Sequence, residues 1–319
     1  MSPSRADADA APPIHVVAGV LGDARGRILL ARREGARELA GLWEFPGGKV
    51  EPGESAVAAL ARELHEELGV EIDTDACTAL IAVPHRMGNG KRIVLDVYRV
   101  SRFSGRARGM EAQAVAWVQP ARLGGYSMPG ADRPVVAALR EPELCLIDAE
   151  PAPLNADRVA RLSQALEAGA RRAVLDVTAV STGDVDALAA LARRHGAVIH
   201  LARRALPAEL IPGLARRGGL GLHLGPDELE QGAAGLRPAG LPLSASCAGA
   251  AHLAKAQDAV DFALLTEAAA PLALGTAQFS RLREAVTLPI YACGSAADLA
   301  TARACGAQGI ALAPALWPG

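Results

Sequence analysis

The chain has 319 residues, half of them hydrophobic and only 3% aromatic, and its formal charge is −2. This length exceeds what a single hydrophobic core usually supports, so we expect two domains. The near-neutral charge provides no basic field for a nucleic-acid backbone, which argues against a nucleic-acid polymer as partner and leaves a small anionic substrate open.

The cysteines and the N-terminal segment indicate where the protein works. The five cysteines are odd in number and widely spaced, which predicts reduced thiols without a zinc site. Residues 1–13 contain no continuous apolar stretch, so they are expected to form a disordered tail and not a secretion signal. No uninterrupted apolar segment is long enough to cross a bilayer. The sequence therefore predicts a cytoplasmic protein with no membrane contact.

The first domain is predicted to cover residues 14–142 and to mix strands with helices. Its β-branched start predicts two strands, over 14–22 and 28–31, joined as a hairpin. Residues 43–55 concentrate Pro and Gly, which predicts a structured loop. The remaining predicted elements are strands over 78–83, 92–100 and 114–118 and a helix over 133–140.

A helix is predicted directly after this loop. Ser55 is a suitable N-cap, and Gly69 is a typical helix end. Between them, apolar residues recur at helical spacing, and this row would anchor the helix while another face points into a cleft. The apolar row consists of Val57, Leu60, Leu64 and Leu68.

Three carboxylates share the other face of this helix. Glu63, Glu66 and Glu67 stand at positions i, i+3 and i+4, so they are crowded together. Like charges at this spacing destabilise a helix by about a few tenths of a kcal/mol per pair, and a cation removes the conflict. Oxygen-only ligands favour Mg²⁺ or Mn²⁺, which would activate water toward a phosphoanhydride. The alternative is a solvated acidic face.

The acids belong to a longer motif. Residues 48–70 read GKVEPGESAVAALARELHEELGV and fit G-x5-E-x7-R-E-U-x-E-E-x-G-U without a mismatch, which a solvated helix would not require. On this motif, residues 14–140 resemble the MutT-like Nudix hydrolases. The resemblance implies an α/β/α sandwich, bound Mg²⁺, and attack of water on an internal phosphorus that releases a nucleoside monophosphate and pyrophosphate.

The resemblance also implies residue roles. By position, Glu63, Glu66 and Glu67 are the catalytic and metal-binding acids, and the Gly47 carbonyl reaches a metal. Glu111 corresponds to a further metal-binding glutamate, with a solvated loop acid as its alternative. Glu54 and Arg62 would be structural, tying the loop to the helix.

The substrate-binding residues are expected around the loop WEFPGG, residues 43–48, which in the family borders the base and the phosphates. Glu44 and Phe45 lie in this loop, and the aromatic side chains would either stack on a base or close the core. Arg33 corresponds to a phosphate-contacting arginine, with a surface arginine as its alternative. Asp132 stands where relatives that prefer 8-oxo-dGTP have asparagine. An ionised aspartate offers acceptors only, which leaves guanine recognition open and puts preference for the oxidised base in doubt.

The pattern changes after about residues 141–143. Eight short apolar strands alternate with Ala-, Leu- and Arg-rich helical stretches, which predicts a closed parallel (β/α)₈ barrel of the TIM type over residues 143–319. The strands are predicted at 144–148, 173–177, 198–202, 220–225, 241–246, 261–266, 288–294 and 309–315.

This second domain resembles thiamine phosphate synthase. The similarity rests on GLHLGPDEL at 221–229 and on the segment at 288–316. Where active members have Gln, Arg and Lys, however, this chain has Val174, Asp176 and Thr178. Leu201 and Ala202 likewise replace an asparagine and a metal-binding aspartate, which predicts a barrel without synthase activity. Glu228 and Gly294 remain as candidates, and His200 and His223 are interpreted as packed strand residues.

The function that these features favour is that of a Mg²⁺-dependent nucleoside triphosphate pyrophosphohydrolase of the 8-oxo-dGTP diphosphatase type, which would sanitise the nucleotide pool. Three alternatives stay open. The hydrolase could act on another diphosphate, such as ADP-ribose, a dinucleotide or a damaged thiamine diphosphate. The barrel could bind a thiamine precursor and modulate the hydrolase. The chain could also be a bifunctional hydrolase and synthase.

Overall fold

The computed structural model describes residues 12–34, 39–110, 113–231, 240–266 and 276–318, so most of the predicted tail lies outside the described residues. The chain divides into two compact units. The first comprises Met1–Glu141, Arg283–Thr287 and Arg303–Gly306, and the second comprises Pro142–Leu282, Leu288–Ala302 and Ala307–Gly319.

Among its described residues, the first unit contains three small sheets and two α-helices. Its sheets have the strand orders β1-β6-β5, β3-β2-β8 and β4-β7. The strands are β1 Ile14–Leu21, β2 Ile28–Arg32, β3 Trp43–Glu44, β4 Glu71–Ile72, β5 Cys77–Arg86, β6 Arg92–Val100, β7 Phe103–Ser104 and β8 Val115–Val118. The α-helices are α1 Ala56–Leu68 and α2 Arg133–Arg140, and short 3₁₀ turns cover Thr74–Ala76, Pro120–Gly125 and Gly130–Asp132.

Helix α1 has the ends that the sequence predicts. The Ser55 hydroxyl accepts a hydrogen bond from the Ala58 amide at 3.2 Å, and Gly69 closes the helix in the left-handed conformation, with φ of 67°. The apolar face packs on strand β1, where Leu60 and Leu64 are fully buried. This packing fixes the rotation of α1, so its acidic face is presented away from the core.

The predicted hairpin of the first two strands is confirmed only at its turn, where Gly22 and Ile28 form an isolated antiparallel bridge; the two strands lie in different sheets. Strand β1 pairs in parallel with β6, from Ile14 beside Ile93 to Leu21 beside Val100. Strand β2 instead pairs with β3 and β8 in another sheet. The turn explains the change of sheet, because the Asp23 carboxylate accepts two backbone amides and the Arg27 guanidinium and holds the chain as it crosses over.

The second unit is the closed parallel barrel that the sequence predicts. Its eight strands follow chain order around the barrel, and the last strand pairs with the first. They are β9 Leu144–Pro153, β10 Arg172–Thr178, β11 Val198–Ala202, β12 Leu220–Leu224, β13 Leu243–Cys247, β14 Phe262–Leu265, β15 Ile290–Cys293 and β16 Gly309–Leu312.

Helices alternate with these strands, as expected for a TIM-type barrel. Short 3₁₀ turns cover Arg203–Ala205, Ala296–Asp298 and Pro314–Leu316. The α-helices are α3 Ala156–Glu167, α4 Thr182–His195, α5 Ile211–Arg217, α6 Pro226–Glu230, α7 Ala250–Ala256, α8 Thr276–Glu284 and α9 Leu299–Ala304. No helix in the described ranges is long and apolar enough to cross a membrane.

One side of the barrel interior is apolar. Val174, Leu264 and other strand residues form a buried cluster there. Phe262 and Tyr291 meet edge to face, with ring centroids 5.4 Å apart. The Arg172 guanidinium lies 4.3 Å from the centre of the Phe262 ring and donates to the Tyr291 hydroxyl at 2.8 Å. These contacts identify which strand residues point inward.

Candidate active site

A cleft of about 1020 Å³ lies in the first unit. It is bounded by the loop before α1, by the acidic face of α1 and by the segment that precedes α2. Seven of the nine residues that the sequence singles out line it: Arg33, Glu44, Phe45, Gly47, Glu63, Glu67 and Asp132. Of the other two, Glu66 does not line it, and Glu111 lies outside the described residues.

Two glycines shape one end of this cleft. Gly47 has φ of +151°, and a Cβ there would collide with the carbonyl oxygen of Val17. A Cβ at Gly48 would collide with the carboxylate of Glu63. The motif glycines are therefore needed because the loop passes directly over strand β1 and over this carboxylate.

The carboxylates of Glu63 and Glu67 are held by neighbouring donors. The Gly47 amide donates to Glu67 Oε2 at 3.2 Å, and the Arg62 Nη1 donates to Glu63 Oε1 at 2.9 Å. Both acids line the cleft beside Gly47. Their oxygens, with the Gly47 carbonyl, form a donor set whose chemistry fits a hard divalent cation.

Arg62 joins the loop to the helix, as the sequence predicts. Its Nε and Nη2 bond the two Glu54 oxygens at 3.1 Å each, and Nη2 also donates to the Lys49 carbonyl at 3.1 Å. Arg62 donates hydrogen bonds to the carboxylates of Glu54 and Glu63, and these bonds raise the pKa of Arg62. The bonds that Glu54 accepts from Arg62 lower the pKa of Glu54. The guanidinium thus fixes the loop and one catalytic candidate together.

Glu66 differs from the other two acids of the motif. Its side chain is 54% exposed, and its Oε2 lies 3.4 Å from Arg62 Nη1 in an ion pair. Within the described ranges, no three His, Cys, Asp or Glu side chains are grouped so that they could hold a metal ion. The structure therefore brings Glu63 and Glu67 to the cleft without Glu66, although the three share a helix face.

The cleft is also lined by a buried carboxyl group, that of Asp132. Asp132 is only 5% exposed, and its Oδ1 accepts the Phe45 amide at 3.2 Å. The pKa of Asp132 is raised to about 7, with burial as the largest cause; the Phe45 amide lowers it, the Glu44 carboxylate raises it and Arg33 lowers it. Arg33 forms a 2.5 Å ion pair with Glu44, whose own pKa burial raises.

The sequence suggested that Asp132 is ionised, and its raised pKa changes this expectation. An ionised aspartate offers acceptors only, but a group with a pKa of about 7 is protonated in roughly half of the molecules at neutral pH. The protonated form adds one O–H donor. Asp132 can therefore present either a pair of acceptors or a donor beside an acceptor, which its residue type alone does not reveal.

The sequence also missed the apolar floor of the cleft and one polar contact. Val16 from β1 and Ile93 and Leu95 from β6 line it, and they are brought together by the parallel pairing of these strands. Gln113 lines it too, and its Nε2 donates to the Glu67 backbone carbonyl at 3.0 Å. Phe45 is 3% exposed and belongs to the core, so it closes the core while bordering the cleft.

Comparisons with known proteins give a consistent result for this unit. A protein-family model described as a NUDIX domain matches residues 17–138. The chain is 42% identical over 125 residues to the CTP pyrophosphohydrolase of Escherichia coli K12, a match that covers 39% of this chain and 90% of that protein. It is 31% identical over 127 residues to the 8-oxo-dGTP diphosphatase of the same strain, covering 40% of this chain and 96% of that protein.

A solved structure is also similar. The solution structure of the E. coli ORF135 protein is matched at 39% sequence identity with a TM-score of 0.37. The match covers 41% of this chain and 90% of that chain.

The raised pKa of Asp132 predicts a pH-dependent gain in stability for Asp132→Asn. A raised folded-state pKa favours folding fully below the unfolded value of 3.8, and this contribution is lost as the pH rises toward about 7. The free energy of unfolding of the variant relative to wild type should therefore be higher at about pH 8 than at about pH 5, by about 2–3 kcal/mol.

Urea unfolding at the two pH values measures this difference. The matched control is Asp75→Asn, the same substitution at an exposed position in the same unit, against which the pH dependence at Asp132 is compared. An Asp132→Asn advantage of equal size at both pH values would show that the buried carboxyl group does not titrate in this range.

Proposed function

Because the chain belongs to the Nudix hydrolase family, we propose that its first unit is a nucleoside triphosphate pyrophosphohydrolase of the 8-oxo-dGTP diphosphatase type, which acts in nucleotide-pool sanitation and thus in DNA repair. Nudix membership makes it an enzyme that hydrolyses phosphoanhydride bonds. The nucleotide proposal is supported by one cleft that is lined by Glu63 and Glu67, carboxylates suited to a hard cation, and by the buried Asp132, a carboxyl group that can pair with a base. A nucleotide combines the two matching chemistries.

The proposed metal end uses the oxygens of Glu63, Glu67 and the Gly47 carbonyl. A Mg²⁺ or Mn²⁺ ion bound by them would neutralise phosphate charge and lower the pKa of a water molecule. Arg62 holds the Glu63 carboxylate in place, and the Gly47 amide does the same for Glu67. We assign Glu66 and Glu111 to the same role because they match metal-binding positions of the family. Glu66 is the most exposed of the three helix acids.

The proposed phosphate contact is Arg33. Its guanidinium pairs with Glu44 at 2.5 Å and is 41% exposed, so it keeps donors that face the cleft. Glu44 thus orients Arg33 toward the substrate. A polyphosphate chain that lies between Arg33 and the carboxylate end would be held at both ends, which positions the bond to be cleaved.

Asp132 is the proposed base-reading residue, and its protonation state sets what it can bind. The ionised form accepts from N1–H and N2–H of guanine, and the protonated form accepts from N1–H and donates to O6. Guanine is therefore compatible with both forms. Cytosine offers a donor at N4 and an acceptor at N3, so it pairs at two points with the protonated form only.

This difference supports a second substrate. One relative is named CTP pyrophosphohydrolase, and a carboxyl group that is protonated near neutral pH is the form that cytosine requires. CTP is accordingly the second candidate beside 8-oxo-dGTP.

We place the domain boundary between residues 142 and 143. The barrel that follows it is proposed to lack synthase activity. Support comes from the barrel residues Val174, Leu201 and Ala202, which are apolar where transfer of a diphosphate needs polar groups. Its resemblance to thiamine phosphate synthase and binding of a thiamine precursor stay predictions. A coupled assay for thiamine phosphate formation by the whole chain tests the proposed lack of synthase activity. The free thiols are consistent with a cytoplasmic location as a further prediction.

Replacing Glu67 by Gln is expected to lower kcat by orders of magnitude while the fold is kept, because a neutral amide is a poor ligand for a hard cation. The matched control is Glu71→Gln, an exposed residue just after the helix, which should leave kcat unchanged. Rates with 8-oxo-dGTP and Mg²⁺, together with Mn²⁺ affinity by calorimetry, measure the effect. If Glu67→Gln kept the wild-type kcat and the wild-type cation affinity, the proposal that Glu67 helps to bind a metal ion would be refuted.

A substrate panel separates the two candidate nucleotides. With Mg²⁺, the sanitation proposal requires a higher kcat/KM for 8-oxo-dGTP than for dGTP, CTP, ADP-ribose or a dinucleotide. Equal turnover of 8-oxo-dGTP and dGTP would rule it out while leaving the hydrolase assignment intact.

The pH dependence of selectivity tests the role of Asp132. As the pH rises from about 6 to about 8, the kcat/KM for CTP relative to dGTP should fall up to about tenfold per pH unit above the pKa. Cytosine loses its O–H donor in that range and guanine does not need one. In Asp132→Asn the ratio should be independent of pH. A wild-type ratio that is constant over this range would exclude Asp132 from reading the base.

A further inference from the structure

Two short segments from the second half of the chain belong to the first unit. They are residues 283–287, which begin at the end of helix α8, and residues 303–306, which begin at the end of helix α9. We refer to them as the distal segments. The sequence predicted them as part of the second domain, over residues 143–319. The unit that contains the hydrolase cleft is therefore discontinuous in sequence.

A buried arginine joins the two distal segments. Arg283 is fully buried, its Nε donates to the Gly306 carbonyl at 3.0 Å, and its Nη1 donates to the Val286 carbonyl. Gly306 in turn lies against strand β5, because a Cβ there would be 3.0 Å from Pro84 Cδ and 3.1 Å from the Ala82 carbonyl oxygen. The distal segments are thus fixed to each other and to β5.

A carboxylate of the distal segments binds two arginines of the hairpin β5–β6. Arg86 and Arg92 pair directly across this hairpin. Glu284 Oε1 accepts from Arg92 Nε at 2.9 Å and from Arg92 Nη2 at 2.7 Å, and its Oε2 lies 3.6 Å from Arg86 Nη2. Like charges directly opposite on antiparallel strands repel each other. The Glu284 carboxylate, which is only 8% exposed, therefore stabilises this end of the hairpin.

The same end of the hairpin carries residues of the hydrolase cleft. Met87 follows Arg86 in the chain and Ile93 follows Arg92, and both Met87 and Ile93 line the cleft. Neighbouring residues of a strand point to opposite faces of the sheet, so Arg92 supports the cleft floor from behind. Neither Arg92 nor Glu284 lines the cleft. An effect of Glu284 on a substrate would therefore pass through the hairpin.

A distal segment also contacts the loop that carries Asp132. A Cβ at Gly130 would lie 2.9 Å from His85 Cε1 and 3.5 Å from Thr287 Cγ2, so Gly130 packs closely against β5 and against residues 283–287. Gly130 begins the short 3₁₀ turn that ends at Asp132. The distal segments thus contact both the cleft floor and the turn that holds the proposed base-reading residue.

We propose that Glu284 is a positioning residue for nucleotide binding. By holding Arg86 and Arg92, it fixes the place of Met87 and Ile93, the apolar surface on which the nucleotide packs. This inference rests on the proposed function, because it assigns a residue to substrate binding in the same cleft. Glu284 acts on the cleft floor and not on the carboxylates suited to a cation, so its loss should change KM and leave kcat unaltered.

Glu284→Gln in the whole chain tests this proposal. The amide keeps the shape of the side chain but removes its charge, so the KM values for dGTP and CTP with Mg²⁺ should rise about tenfold, as expected when a charge-assisted hydrogen bond is weakened. The kcat values should stay at the wild-type level. Glu284→Asp keeps the charge and should give a lower KM than Glu284→Gln. The matched control is Glu230→Gln, which removes an exposed ion pair with Lys255 and should change neither parameter.

A double-mutant cycle tests whether Glu284 acts through Arg92. Arg92→Gln should raise KM by a similar factor, and the double variant should be no worse than either single variant, because both changes remove the same contact. Increases in KM that multiply in the double variant would show independent effects and would contradict a role through the hairpin.

Amide hydrogen exchange measures the hairpin without any substrate. In Glu284→Gln, residues 86–95 should exchange faster than in wild type, while helix α1 should keep its protection. A kcat that falls together with a rising KM would indicate a general structural role and overturn the proposal, as would a wild-type KM in Glu284→Gln. If the wild-type chain hydrolysed no nucleotide, the proposed function itself would fail, which the unchanged exchange of the control Glu230→Gln could not mimic.

Discussion

The hydrolase cleft depends on one interaction, the contact of Arg62 with both the loop and helix α1. The guanidinium bonds Glu54 and the Lys49 carbonyl on the loop side and Glu63 on the helix side. Without a cation between them, the carboxylates of this segment would repel one another and push the loop away from the helix. Arg62 supplies a permanent positive charge at that point. Glu67 Oε2 accepts the Gly47 amide, and Glu67 lines the cleft together with Glu63.

Two parts of the cleft use the carboxyl group in opposite ways. Glu63 and Glu67 lie beside cationic or amide donors, and they are the carboxylates proposed to bind a metal ion. Asp132 is buried with a carboxylate, Glu44, nearby, and there the neutral form is favoured. The same functional group is therefore proposed to bind a cation in one part of the cleft, while burial favours its protonated form in another. This division follows from burial, since the exposed and buried acids differ little in their covalent chemistry.

The sequence predicted those parts that depend on local patterns. The ends of α1 follow from Ser55 and Gly69, and the barrel follows from eight apolar strands of regular spacing. It did not predict the pairing of β1 with β6, because parallel neighbours distant in the chain leave no local signal. The apolar floor of the cleft was missed for the same reason. Burial of Asp132 was likewise invisible, because it arises from the packing of segments that are far apart in sequence.

The interior of the barrel gives the last step. Burying two imidazoles and two hydroxyls disfavours folding unless each finds a partner, and a core selected for packing alone would be filled with apolar side chains. One side of this barrel is filled in that way, around Phe262 and Tyr291. His200, which contacts the Phe262 ring edge to face, begins a row of polar side chains on the neighbouring strands. Ser244 Oγ lies 3.0 Å from His200 Nδ1 and 2.9 Å from His223 Nδ1, and His223 Nε2 lies 2.9 Å from Ser246 Oγ. These hydrogen bonds offset part of the cost of burying the imidazoles and hydroxyls.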